Sequence, residues 1–459
     1  MSSSHRFPLT RSLAEFAVHL DEVPDAAQAL ALQGVIDAIS LVIKARNEPA
    51  VQAVRDIALQ GRQGGAGSVL LGRERTGVEA AALVNATAAH AFALDDVAWS
   101  CHPSAMLMPA LLAAGEALEA DGASLLRAWV VGYEVLGELV TREPGALHSS
   151  GWHPSGLLGP VAVAAAVANL MGLDADVACG ALANAASMTG GVSANFGTAV
   201  KAVHVGRVAA AGIQACELAR RGVTGSPDAL ERVGGFLETV SPSRSPDLVS
   251  PMMIGGERLR LTTSGLSLKR YPLCYSLHRI ADAAIALARQ PGMVIGDIDR
   301  IEIGIGERQL RMAPHRQPAT PVQARYSAPF AVASGLIARA AGFAQLSPGF
   351  YESPAVRRLI ECTALTALPG ADPDDPVFAP ADRVRVRLQD GRWLDSGDVA
   401  HPRGHARLPL DEAGRLEKFL DCVSGSGVDD PEELYEHLLR MPVMASVREV
   451  ADAVSNAMR

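Results

Sequence analysis

Two stretches in the first half of the chain carry no charged residue, Leu157 to Leu173 and Val177 to Val200. Both are dominated by Ala, Gly, Ser and Asn rather than by Leu, Ile and Phe, and the first contains Pro160. A membrane-spanning helix wants ~20 strongly apolar residues. These stretches therefore predict helices buried on all sides within a core, where small side chains let neighbours approach closely, and no membrane span is expected. Helices of that kind need a large surround. The 459 residues, 49% hydrophobic and only 20% charged, supply one and argue against disorder. The length suggests two domains or one large domain with an insertion.

Helical periodicity runs through the rest of this half. Ser12-Leu13-Ala14-Glu15 fits a capping box, with Leu13, Phe16, Ala17 and Leu20 on one face. An apolar stripe starts near Ala26. Val78 to Leu94, Met106 to Leu118, Ser124 to Val140, Leu158 to Met171, Asp176 to Met188 and Val203 to Arg220 also predict helices. No convincing alternating strand occurs before about residue 260. The texture then changes. Ile298 to Gly306 alternates apolar and polar residues, and so does Asp382 to Ala400, where Asp390-Gly391 is a hairpin signal. Helical patterns at Ser327 to Ala341 and Ser353 to Leu365 lie between. Helices return over Asp411 to Val423 and again from Asp430-Pro431-Glu432-Glu433, an N-cap with proline in the first turn. The expected fold is mainly α: an all-helical domain over residues 1–264, a smaller α+β domain over 265–404, and C-terminal helices over 405–459 packing back on the first.

The net charge of −9 argues against nucleic-acid binding as a main role. Six scattered cysteines form no C-x-x-C pair, which speaks against a zinc ribbon or a cysteine-run iron–sulfur site. The opening "MSSSHRFPLTRSLAEF" is polar and then amphipathic rather than a leader, so a cytoplasmic protein with reduced thiols is expected. Glycines between Gly61 and Gly67 lack the G-K-[ST] of a P-loop, and Gly304-Ile305-Gly306 completes no dinucleotide fingerprint. With no G-x-S-x-G, H-E-x-x-H or EF-hand loop either, a site without cofactor or metal is the simplest reading.

One tripeptide recurs. "SCHPSAMLMPA" contains His102-Pro103-Ser104, and "SGWHPSGLLGP" contains His153-Pro154-Ser155. The flanks do not otherwise match, so an internal repeat does not explain it. Proline disfavours helix at the residue before it and suits the first helical position, which predicts both histidines just ahead of helices. Helix N-termini favour anions, and a histidine there tends to stay neutral near pH 7, able to act as base or donor. Two such ends facing each other would make a carboxylate site, with Ser104 and Ser155 beside it. A capping role without chemistry is the bland reading for either histidine alone.

Three further clusters join them. "KAVHVGRVAAAG" places Lys201, His204 and Arg207 after the long uncharged stretch. A lysine ending a buried small-residue helix needs an anionic partner, so Lys201 is a site candidate and His204 a binding one, while Arg207 is read as a structural salt bridge. "SLKRYPLCYSLH" brings Lys269, Arg270, Tyr271 and His278 to the domain junction, where clefts form. Asp95-Asp96, shortly before His102, could orient an imidazole or hold a lysine, or simply terminate a helix.

Taken in order, "HAFALDDVAWSCHPSAMLMPALLAAGEAL", "VVGYEV", "GWHPSGLLGPVAVAAAVANLMGLD", "GTAVKAVHVGRVAAAGIQACELARRGVTG", "KRYPLCYSLH" and "LPLDEAGRLEKF" resemble the MmgE/PrpD family over most of the chain. That family includes 2-methylcitrate dehydratase, cis-aconitate decarboxylase and iminodisuccinate epimerase. The resemblance implies an all-helical domain, a smaller α+β lid domain, a cofactor-free site between them, and a homodimer. It maps the family's site histidines to His102 and His153, its lysines to Lys201 and Lys269, and its acidic pair to Asp95 and Asp96. Three positions depart from the decarboxylase pattern: Ala93 replaces an acidic residue, Val97 a threonine, and Phe330 of "ARYSAPF" a tyrosine. They speak against cis-aconitate decarboxylation itself.

The resemblance thus implies a hydro-lyase acting on a hydroxylated di- or tricarboxylate. Lys201 and Lys269 would hold carboxylates, one of His102 and His153 would abstract the proton, the other would assist hydroxide departure, and Asp95 or Asp96 would orient the site. Epimerisation between two bases, and a catalytically inactive carboxylate-binding dimer, are the alternatives.

Overall fold

The computed structural model describes residues 6–61, 64–143, 146–254, 259–372 and 378–458. The polar opening Met1–His5, and Arg62 and Gln63 of the glycine-rich stretch, lie outside them. The chain divides into two compact units, residues 1–266 with 422–459, and residues 267–421.

The first unit is helical. Its elements run α1 (Leu9–His19), α2 (Asp25–Lys44), α3 (Pro49–Leu59), α4 (Val78–His90), α5 (Pro103–Leu118), α6 (Gly122–Arg142), α7 (Ala146–Ser149), α8 (Pro154–Leu170), α9 (Ala175–Ala186) and α10 (Val200–Arg220). Caps fix several starts: Asp121 accepts from Ser124 N at 2.7 Å and Asp174 from Val177 N at 2.8 Å. At α1 the proposed capping box is absent. The helix begins at Leu9 behind Pro8, so Ser12 to Glu15 lie inside it. A two-residue antiparallel ribbon, β1 (Gly67–Ser68) with β2 (Arg75–Thr76), is the strand pairing that no alternation announced.

The first uncharged stretch behaves as its composition requires, since α8 is buried from Pro154 through Asn169. Close packing explains the small residues. A Cβ on Gly212 of α10 would stand 2.4 Å from Val163 Cγ1 of α8, and one on Gly206 would stand 2.2 Å from Thr87 Oγ1 of α4. The second stretch does not follow the expectation. Helix α9 ends at Ala186, and residues 187–199 form a loop, half-buried to exposed, around Gly190-Gly191, with Gly191 at φ 128°. Two successive glycines offer the backbone freedom that a helix interior cannot use. Among the described residues one helix, extending from Asp25 to Asn47, is long and apolar enough to cross a bilayer, and 67% of its apolar window is buried within the protein. C-terminal residues complete this unit, with a helix at Pro431–Leu439 capped by Asp430, whose side chain accepts from Glu433 N at 2.9 Å, and another at Arg448–Ala457.

The second unit is α+β. Four strands, β3 (Ile298–Gly306), β4 (Thr363–Leu368), β5 (Arg383–Leu388) and β6 (Trp393–Asp395), lie in the order β4-β3-β5-β6. β3 pairs parallel with β4 and antiparallel with β5, and β5 turns through Asp390-Gly391 into β6. Helices Ala328–Ala338 and Pro354–Glu361 are capped by Ser327 and Ser353. The second stops at Glu361, and Thr363 to Leu368 is strand rather than continued helix. A crossover into a parallel neighbour needs that strand, and its two threonines are at home in one.

The boundary after this unit falls at 421/422 rather than near 404. Leu268 N donates to Gly404 O at 2.8 Å, Ala406 N to Ser267 Oγ at 3.0 Å, and Arg270 pairs with Glu417 at 2.7 Å. These bonds hold residues 404–421 to the start of the unit.

Candidate active site

In the first unit, α4 ends at His90, a twelve-residue connection follows, and α5 starts at Pro103. His102 and His153 are the residues preceding α5 and α8, in non-helical conformations (φ −125° and −88°) that the following prolines favour. The two tripeptides meet. His102 N donates to Ser155 Oγ at 3.0 Å, and the two imidazole centroids stand 6.2 Å apart. Ser104 N donates to the Asp96 carboxyl, at 3.1 Å and 3.2 Å to its two oxygens. The N-terminus of α5 is thus capped by the protein's own acid, and Ser155 is tied to the other tripeptide.

The connection is held in an unusual backbone. Ala98 and Cys101 exchange both amide hydrogen bonds, 3.1 Å and 2.8 Å, around Trp99 (φ 50°) and Ser100 (φ 62°). Two left-handed residues in a row is the pattern of a type I′ turn, which ordinarily takes Asn-Gly. Trp99 is anchored against Tyr133 of α6, with ring centroids 4.9 Å apart. Ala93 is also left-handed, at φ 52°.

A third imidazole, missed by the sequence reading, completes the cluster. Asp95 Oδ2 lies 2.9 Å from His90 Nδ1 and 3.0 Å from His102 Nδ1. His102 Nδ1 is also 3.0 Å from Asp96 O, and a carbonyl only accepts, so Nδ1 carries the proton and Nε2 the lone pair. His90 packs 4.5 Å from His102 and, nearly stacked, 5.8 Å from His153, centroid to centroid. His153 Nδ1 faces His204 Nδ1 at 3.3 Å, one donating and the other accepting. His90 closes a helix C-terminus; it opens the first stretch that carries the family resemblance, but the reading of that stretch gave it no role.

Burial controls the protonation of these groups. Desolvation first, then the neighbouring His90 and Lys201, drives His153 far below the ordinary imidazole range, so it stays neutral. Desolvation also lifts Asp96 to about 8, assisted by Asp95 and Asp37 and opposed by the Ser104 bonds. His204 is lowered by burial and then by Lys201.

Lys201 is the second residue of α10, following the loop rather than ending a buried helix, and its Nζ stands 5.1 Å over the Phe196 ring. Its charge depresses His148, His153 and His204 together, which puts it within electrostatic reach of the imidazoles. Arg207 forms no ion pair among the described residues, so the structural salt bridge is not found. It lines a concave pocket instead, with His204, Gly156, Val208 and the loop from Met188 to Val192.

Lys269, Arg270, Tyr271 and His278 are all buried in the second unit. Arg270 pairs with Glu417, Tyr271 Oη donates to Asp282 Oδ1 at 2.6 Å, and His278 Nε2 meets Leu273 O at 3.3 Å. Burial and then Lys269 push His278 down to about 3. Phe330 is 1% exposed in the core of this unit.

Comparison with known proteins separates the two halves near residue 266, while its second match continues past residue 421. A family model of the MmgE/PrpD N-terminal domain matches residues 11–249, and one of the C-terminal domain matches residues 271–439. The chain is 31% identical over 360 residues to cis-aconitate decarboxylase of Homo sapiens, covering 74% of this chain and 71% of the relative. It is 29% identical over 434 residues to the cis-aconitate decarboxylase-like protein oryM of Aspergillus oryzae, covering 89% and 88%. It is 25% identical over 452 residues to cis-aconitate decarboxylase of Aspergillus terreus, covering 93% and 91%.

Proposed function

We propose, since this chain belongs to the MmgE/PrpD family, that it is a lyase that labilises a bond to the carbon beside a carboxylate of a small polycarboxylate. The observation that carries the reading is Asp95 Oδ2 accepting from His90 and His102 together, at 2.9 Å and 3.0 Å. A carboxylate that takes the Nδ1 proton fixes the tautomer in which Nε2 is basic, which is what proton abstraction requires. His102 or His153 takes the proton, and the C–H electron pair becomes the new double bond. The C–O pair leaves with the hydroxyl oxygen, which is protonated to water by the proton just abstracted, relayed through the other imidazole, so that both rings end neutral. Lys201 offsets the charge that builds on the substrate carboxylate. For Lys269 the family resemblance speaks for a second carboxylate ligand, and Lys269→Ala is expected to raise KM more than it lowers kcat.

Decarboxylation is disfavoured by Ala93 and Val97, which supply no polar side chain where decarboxylase-like members carry an acid and a threonine. The activity named for the relatives favours a second reading, decarboxylation, in which carbon dioxide leaves and an imidazole protonates the remaining carbanion. Proton NMR in deuterated water, with hydroxylated and unsaturated di- and tricarboxylates, separates them. New olefinic signals from a hydroxy acid report dehydration, and loss of a carboxylate with released carbon dioxide reports decarboxylation. Deuterium wash-in without net loss reports epimerisation. Silence across the panel, for protein folded by circular dichroism, contradicts the enzymatic reading and leaves a carboxylate-binding helical protein.

A further inference from the structure

The three imidazoles also satisfy a chemistry that proton transfer does not use. One nitrogen each of His90, His102 and His153 lies within 4.8 Å of the other two, and all three residues are buried. We infer that this triad binds a divalent transition-metal ion of the zinc type, which on entering takes up the nitrogens that proton transfer needs and so inhibits the enzyme.

Neutral imidazole nitrogen is a ligand for zinc, copper and nickel rather than for magnesium or calcium. Metal-bound histidines almost always give their other N–H to a carboxylate or carbonyl, which orients the ring. That outer arrangement exists already: Asp95 Oδ2 accepts from His90 and His102 at 2.9 Å and 3.0 Å, and Asp96 O lies 3.0 Å from His102 Nδ1. Asp95 also places a carboxylate beside an ion that three neutral rings would otherwise leave uncompensated. On His153, Nε2 is buried with no hydrogen-bond partner among the described residues. Tetrahedral zinc with bonds of about 2.0–2.1 Å sets its nitrogens roughly 3.4 Å apart, so each ring closes in by less than about 1 Å. Three protein ligands leave a fourth position for water or a substrate carboxylate.

His90 separates the two chemistries, because the proton transfer above assigns acid and base to His102 and His153, whereas the metal needs all three. The test is calorimetric titration of zinc chloride into the full, metal-stripped chain, wild type and His90→Gln. The expected result is one equivalent bound, at least about tenfold more weakly in the variant. Zinc X-ray absorption of the loaded wild type should show three imidazole nitrogens near 2.0 Å. Absence of stoichiometric binding, or affinity unchanged by His90→Gln, overturns the inference; zinc held by the stacked His401–His405 pair (centroids 4.4 Å apart) would give the latter. If His90→Gln does not fold, His153→Gln replaces it under the same criterion. If neither folds, the imidazole count decides, three supporting the triad and two or fewer refuting it. None of these readouts needs turnover, so failure here and failure of the lyase reading are seen separately.

Discussion

Asp95 serves two imidazoles with one oxygen, and that sharing ties the chemistry of this site to single side chains. Replacing Asp95 with Asn leaves the shape but offers an amide that can donate, so the Nδ1 protons lose their fixed acceptor. Turnover is expected to fall by about 100-fold or more, as it should for His102→Ala and Lys201→Ala, measured as kcat on whichever polycarboxylate the panel identifies. Asp96 gives a prediction independent of substrate. Its folded pKa of about 8 lies above the ordinary 3.8, so the folded state binds the extra proton between those values. Its contribution to stability is fully present below about pH 4 and is lost as pH rises through about 8. Urea unfolding of Asp96→Asn should therefore show a flatter decline in stability from pH 5 to pH 9 than wild type; a parallel decline contradicts this. The paired His-Pro-Ser tripeptides were legible because proline marks helix starts by steric rule. His90 was not, because its partner is set by how the chain folds back through a left-handed turn.

At the scale of elements, the bundle depends on helices that approach closely where glycine stands. Gly206→Ala would drive a Cβ to within 2.6 Å of the Leu83 backbone oxygen and 2.2 Å of Thr87 Oγ1. Such overpacking costs about 1–3 kcal/mol, readable as a lowered urea midpoint at unchanged slope. The Trp99-Ser100 turn should respond in the other direction. Ser100→Gly relieves a left-handed residue of about 1 kcal/mol of strain, partly offset by added freedom in the unfolded chain. A gain in Tm is expected, and a loss would mean that the hydroxyl holds the turn. Composition together with unbroken helical periodicity made α8 readable as a helix packed on all sides. The same logic failed from Ser187 onward, where absence of charge marked a glycine loop rather than a buried helix. Composition reports burial only when periodicity persists, and Gly190-Gly191 ends it.

For the whole molecule, the mainly α first unit and the α+β second unit follow from sequence texture, and the two family matches, residues 11–249 and 271–439, part near the same first boundary. The later boundary was harder to read, because what holds residues 404–421 is a set of bonds to residues 267–270, more than 130 positions earlier. The acid response of the fold sets its buried histidines against its buried carboxyls. His278, with a folded pKa of about 3 against 6.5, withholds a proton that the unfolded chain takes up, so stability falls as pH drops below about 6.5. Between pH 6.5 and 5 that costs about 2 kcal/mol, and His278→Gln should remove this part of the slope in denaturation curves.

The central claim is that His102 and His153 transfer protons at a carbon beside a carboxylate. It is tested most directly by incubating wild type, His102→Ala and His153→Ala in deuterated water with the substrate the panel identifies, and following product and carbon-bound deuterium by NMR. The account predicts conversion by wild type and at least about 100-fold slower conversion by each folded variant. Conversion by both variants at the wild-type rate would contradict it.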